Sequence, residues 1–202
     1  REARYAITLT TAPSPVEERE QCIELLTQRR VDGLIVLTSR TDDPLVEWLV
    51  QQAHPFVVLG RVPGRNVPHV NNDNIAAARE ATEYLLSLGH RRIGFIGGPP
   101  DMVVSMDRLE GYKQALHEGG IPFRSHLVVP TDFSVEQSYK AAQRLLSPEF
   151  AQLDSPGAST SLGAVEKPTA LVAIDDAVAL GALAAARGMG LNVPGDVSVV
   201  GF

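Results

Sequence analysis

The sequence predicts a doubly wound parallel α/β fold, and three observations predict it. Short apolar, β-rich runs alternate with helical patterns about seven times along the chain. The run Gly33–Leu37 is continuously apolar, as expected of a parallel strand covered on both faces. Helix starts and stops carry residues suited to satisfying the free backbone groups there.

In chain order, Tyr5-Ala-Ile-Thr-Leu-Thr10 alternates as a strand does. Pro15 then opens a helix whose first turn holds Glu17, Glu18 and Glu20, matched to the positive end of the helix dipole. Ile23, Leu25 and Leu26 supply its apolar stripe. Gly33–Leu37 is the next strand, Asp43-Pro44 restarts a helix through Leu45, Trp48 and Leu49, and Pro55–Leu59 is a strand. The segment Gly60–Pro68, with its Pro and Gly residues, is a loop. Asp73–Leu88 reads as a long helix closed by Gly89. Arg92–Ile96 is a strand, Ser105–His117 a helix stopped by Gly119-Gly120, and His126–Pro130 a strand. A helix follows over Ser134–Leu146, with Ser134 as N-cap and Gln137 three residues on. Thr169–Ala173, Asp176–Arg187 and Val197–Val200 complete the pattern as strand, helix and strand. Ser147–Lys167, rich in Ser, Gly, Ala and Pro, is expected to be a long exposed loop. The chain starts almost on a strand and stops just after one, so it is expected to be a fragment truncated at both ends.

Composition narrows the function. With 44% hydrophobic and 21% charged residues and mean hydropathy near zero, the chain has the make-up of a soluble globular domain. No apolar run reaches the roughly 18–20 residues of a transmembrane helix, and no signal-peptide core is present. A net charge of −6 makes a poor match for phosphate backbones, so any action on DNA falls to a separate segment. Cys22 stands alone inside a helical pattern and reads as a small packed residue, compatible with the cytoplasm. The five His are scattered and suggest no metal site, and no cofactor is expected.

Ile96-Gly-Gly-Pro-Pro100 lies between a strand and a helix but lacks the residues of a phosphate loop, and its prolines remove two donors. It reads as a close-approach turn. Nothing forms a catalytic nucleophile and base. Instead, polar groups recur where strands end, the edge at which open α/β sheets bind ligands. Thr10-Thr11, Gly60-Arg61, Asp132-Phe133 and Asp175 all follow strands, and Arg108 lies early in a helix after one. Carboxylates and Arg match paired hydroxyls and an aromatic ring covers the apolar face of a pyranose, so the edge suits a sugar. Asp175 alone would also serve as a helix cap, and Asp43 is read as one.

Several stretches resemble the effector domain of the LacI/GalR repressors: Arg29-Arg-Val-Asp-Gly-Leu-Ile35, Asn72-Asp-Asn74, Leu88–Pro99, Asp107-Arg-Leu-Glu-Gly-Tyr112, Asp175-Asp176 with Ala179-Leu-Gly-Ala182, and Val193–Phe202. They occur in that family's order and spacing over essentially the whole chain. The resemblance implies a two-lobed fold like that of periplasmic sugar-binding proteins. Each lobe is a parallel sheet flanked by helices, with residues 1–72 in an incomplete N-terminal lobe and 73–202 in the C-terminal lobe. It implies a sugar effector in the interlobe cleft, operator DNA bound by an N-terminal helix-turn-helix outside this chain, a homodimer and no membrane. Arg108 matches the family's effector-binding Arg and Phe133 its stacking aromatic. Asp175 falls where many members have Asn, and Gly60 where many carry Asp, with Arg61 beside it to supply polar contact. The set Ser105, Asp107 and Arg108 with Asp73 and Gly60 resembles the maltose-responsive branch, which implies maltose or a related glucoside. The alternatives are a periplasmic sugar-binding protein of an ABC transporter and, more remotely, a sugar-processing α/β enzyme.

Overall fold

The computed structural model describes residues 5–37, 40–147 and 167–202, and the chain divides into two compact units, Arg1–Asn71 and Asn72–Phe202.

In the first unit, helix α1 (Pro15–Thr27) begins where Pro15 presets the backbone and Ser14 Oγ accepts from the Glu17 N–H at 3.3 Å. Helix α2 (Pro44–Gln51) repeats the device, with Asp43 Oδ1 accepting from the Leu45 N–H at 2.9 Å. Strands β1 (Leu34–Val36), β2 (Phe56–Leu59) and β3 (His69–Val70) pair in that order, all parallel. Val36 and Val58 point to one face, where Cys22 and Leu26 of α1 and Leu45, Val46 and Leu49 of α2 close a core. Cys22 is thus buried, as its place in the helical pattern suggested.

Two expectations fail here. Gly33–Leu37 is not covered on both faces. The strand's alternation sends Ile35 and Leu37 away from α1 and α2, and they stay 66% and 58% exposed. Their row continues through Val57, Leu59 and Val70, all exposed. Tyr5–Thr10 is not a strand either: it joins no ladder, and Tyr5, Ile7 and Leu9 are exposed. An alternating pattern makes a strand only where a neighbour accepts its backbone hydrogen bonds.

The second unit is doubly wound. Helix α3 (Asn74–Ser87) leads into β4 (Ile93–Gly97), α4 (Val103–Glu118), a 3-10 turn at Ser125–Leu127, β5 (Val128–Pro130), α5 (Val135–Leu146), β6 (Ala170–Ala173), α6 (Asp176–Gly188) and β7 (Ser198–Val200). The strands lie in the order β5-β4-β6-β7, all parallel. Their alternation divides the core in two. Ile93, Phe95, Ala170 and Val172 pack with Leu85, Tyr112 and Leu116 of α3 and α4. Ile96, Leu171 and Ala173 pack with Ala141, Ala142 and Leu145 of α5 and Val178, Ala182 and Ala185 of α6. Helix pairs meet at glycines: a Cβ on Gly111 of α4 would lie 2.1 Å from the Ile75 carbonyl oxygen of α3. One on Gly181 of α6 would lie 2.7 Å from the Val135 carbonyl oxygen of α5. Tyr112 is fully buried and donates to the Ile93 carbonyl at 2.8 Å, and burial pushes its phenol well above the usual range. The expected loop at Ser147–Lys167 falls almost entirely outside the described residues.

Candidate functional site

The order β5-β4-β6-β7 places the site. The chain leaves β4 through α4 on one face of the sheet and leaves β6 through α6 on the other. Between the ends of β4 and β6 the connections part, and such a switch point opens a crevice at the carboxyl ends of the strands.

Arg108, in the second turn of α4, reaches across this gap. Its Nη1 donates to the carbonyl of Ile174, directly after β6, and its Nε donates to Asn74 Oδ1 at 3.0 Å. The ring of Phe202, just past β7, lies 4.8 Å from the guanidinium carbon. Partial burial pulls the Arg108 pKa down and the nearby Asp175 charge pushes it back up. Asp175 is half-buried and caps α6, its Oδ1 accepting from the Val178 N–H at 2.7 Å. The cap reading of this residue therefore holds.

The end of β5 supplies the ring. Thr131 donates through both N–H and Oγ1 to the Gly97 carbonyl, at 2.9 and 2.8 Å, stitching this loop to the end of β4. The Phe133 N–H donates to Thr131 Oγ1 at 3.3 Å, and Phe133 sits at φ 67°, a left-handed conformation rare for an aromatic residue. The neighbouring Asp132 accepts from the Ser134 N–H at 2.9 Å; bonds from Ser134 hold its carboxyl below the usual range. Gly98 makes room for the ring: a Cβ there would lie 2.4 Å from Phe133 Cζ and 2.8 Å from Ser105 Oγ. The Gly-Gly turn is thus a close-approach turn. Ser105 is 5% exposed, and its Oγ has no hydrogen-bond partner among the described residues. Ser105 and Arg108 stand three residues apart on α4 and so share a helix face.

Of the residues singled out from the sequence, Arg108, Asp175, Phe133 and Ser105 come together at this edge. Asp107 is 4% exposed and turned into the fold. Asp73 is exposed and caps α3, accepting from the Ala76 N–H at 2.9 Å. Gly60 and Arg61 belong to the first unit, where Gly60 adopts φ 116° and donates its N–H to the Val70 carbonyl at 2.8 Å. Thr10 bonds to Gln21 through side chains at 2.5 Å. Asn74, Gly98 and Phe202 lie in stretches that the sequence marks, Asn72-Asp-Asn74, the Gly-Gly turn and Val193–Phe202, but none of them was singled out as a site residue. Among the described residues no cluster of His, Cys, Asp or Glu suits a metal ion, and no helix is long and apolar enough to cross a membrane.

Comparison with known proteins gives the family. Residues 2–202 match the family model of periplasmic binding proteins and the sugar-binding domain of the LacI family. The chain belongs to that family. The transcriptional regulator CelR of Thermobifida fusca is 35% identical over 204 residues, covering 100% of this chain and 55% of CelR. MalR of Streptococcus pneumoniae, another such regulator, is 37% identical over 145 residues, 71% of this chain and 44% of MalR. Among solved structures, a CelR–cellobiose complex superposes with a TM-score of 0.78 at 36% identity, covering 92% of this chain and 53% of that one. The chain thus spans about half the length of these relatives, and the α/β fold with parallel sheets flanked by helices is the family's fold.

Proposed function

We propose that this chain is the sugar-sensing effector domain of a cytoplasmic transcriptional repressor, and that its ligand is maltose or a related glucoside. The observation that carries the reading is Arg108 anchored to Asn74 and the Ile174 carbonyl at the strand-end switch point, with the Asp175 cap, the buried Ser105 hydroxyl and the Phe133 ring on the same edge. A guanidinium donates, a carboxylate accepts, a hydroxyl does either, and a ring covers the apolar face of a pyranose. That combination fits a polyhydroxylated ligand. One solved relative is a complex of CelR with cellobiose, which supports a ligand built of glucose units.

Gly60 and Arg61 of the first unit, and Asp73 and Asp107 of the second, belong to the same proposal as further ligand or supporting residues. So does the division into an N-terminal lobe over 1–72 and a C-terminal lobe over 73–202. Ligand binding alters operator affinity by favouring one arrangement of a homodimer, through differential affinity for it. DNA is held by an N-terminal helix-turn-helix outside this chain. A net charge of −6 suits that separation of tasks. The relatives are transcriptional regulators, which favours this reading over a transporter's periplasmic binding protein. Binding without turnover is expected, since the relatives are transcriptional regulators.

Calorimetric titration with mono- and disaccharides tests this. Maltose or another glucoside should bind the parent, and Arg108→Ala should abolish the heat. If Arg108→Ala and Asp175→Ala both bind as the parent does, the site is wrongly placed.

A further inference from the structure

We propose that Asn74 is a positioning residue that fixes the plane of the Arg108 guanidinium and so aims its free donors at the ligand. The inference rests on the sugar-binding reading for its ligand, but not for its geometry. Asn74 is the first residue of α3 and only 8% exposed, one of the few buried polar residues of the second unit. Its Oδ1 accepts from Arg108 Nε at 3.0 Å, and its Nδ2 donates to the Asn72 carbonyl at 3.3 Å. The orientation of the amide is fixed by chemistry: a guanidinium only donates and a carbonyl only accepts.

An arginine side chain is long and flexible, and one hydrogen bond leaves it free to swing about the contact. The Nη1 bond to the Ile174 carbonyl is such a bond. The second bond, from Nε to Asn74, fixes direction within the guanidinium plane, and the Phe202 ring limits tilting of that plane. The donors left over, including both on Nη2, then have fixed directions in that plane. Prior alignment of donors lowers the ordering cost of binding. Ile174 offers this hold by backbone and Phe202 by its ring, so Asn74 contributes the one side-chain hydrogen bond among the three.

Three versions of the chain separate aiming Arg108 from merely supporting α3. Asn74→Ala removes the bonds to Arg108 and to the Asn72 carbonyl. Asn74→Asp keeps an acceptor for Arg108 and loses the donor to Asn72, and a carboxylate at a helix N-terminus is well tolerated. The first readout is exchange of the Arg108 Nε–H with water, followed by nitrogen-15 NMR without ligand. Exchange should be slow in the parent and in Asn74→Asp, and on the order of 10-fold faster in Asn74→Ala, as expected for losing one hydrogen bond worth about that factor. The second readout is affinity for maltose and cellobiose. Asn74→Ala should weaken it by a similar factor and Asn74→Asp should hold it within about 3-fold.

Unchanged Nε–H exchange in Asn74→Ala overturns the proposal. So does an Asn74→Asp chain that behaves as Asn74→Ala, because an acceptor for Arg108 is then present without effect. If Asn74→Ala does not fold, Asn74→Asp decides alone: retained slow exchange supports the proposal and its loss refutes it. A parent chain that binds neither disaccharide sinks the sugar reading, while the exchange measurement still judges Asn74.

Discussion

Replacing Gly111 with Ala tests how closely α3 and α4 are packed. The added Cβ would lie 2.1 Å from the Ile75 carbonyl oxygen, 2.9 Å from the Arg79 nitrogen and 3.0 Å from Ala78 Cβ. The first two partners are backbone, which cannot rotate away, so the helices must part by about 1 Å to restore a carbon–oxygen separation near van der Waals contact. Overpacking of this kind costs about 1–3 kcal/mol, and a backbone clash belongs at the upper end. Alanine's better helix propensity returns about 1 kcal/mol. The net expectation is a loss of about 2 kcal/mol, which with a urea slope of about 2 kcal/mol/M lowers the midpoint by about 1 M. Gly181→Ala, with nearest approaches of 2.6 Å to Ser138 Cβ and 2.7 Å to the Val135 oxygen, should cost less. Parting the helices also stretches the bond between Asn74 on α3 and Arg108 on α4, which lies one turn from the clash. Urea denaturation of the second unit is the assay. A Gly111→Ala chain as stable as the parent, or less affected than Gly181→Ala, would refute the packing argument.

Two further predictions follow from the caps. Asp175→Ala should lose about 1 kcal/mol of stability together with sugar binding, whereas Asp175→Asn should stay within a few tenths of a kcal/mol of the parent, because Asn is an equally good N-cap; urea midpoints and titrations on both variants check this. Asp132 has its folded pKa depressed below 3.8, first by the Ser134 side-chain bond and then by the Ser134 backbone bond. The linkage sign is that of a lowered carboxyl: its contribution is present above pH 3.8 and is lost as pH falls through the folded value. Comparing urea midpoints at neutral pH with those below pH 3.8, Asp132→Asn should lose less on acidification than the parent, and an equal loss contradicts the assignment.

Much of this was legible in the sequence where the cause is local. Pro15, Asp43-Pro44 and Ser134 announce helix starts because a helix start needs only residues within one turn. Asp175 and Phe133 could be placed at the binding edge because position relative to a strand end is also a local property. What escaped depends on partners distant in the chain. The period-2 pattern of Tyr5–Thr10 specifies side-chain directions and says nothing of a neighbouring strand. The apolar run at Ile35 does not reveal which face the helices choose. Asn74 meets Arg108 across 34 residues, and Phe202 approaches the same guanidinium from the far end of the unit, so no spacing rule links them. Strand β3, two residues long, is too short to show any period.

The parity of β4 and β6 carries a consequence for how this domain diversifies. Every side chain along those strands is claimed by one helix pair or the other, so a change there disturbs packing before it can alter recognition. On the proposed reading, freedom to choose a new guest falls to residues outside the ladder, at the strand ends and on the early turns of α4. With the site as proposed, a lineage can exchange one ligand for another by rewriting those positions, with the two-sided interior left as it was.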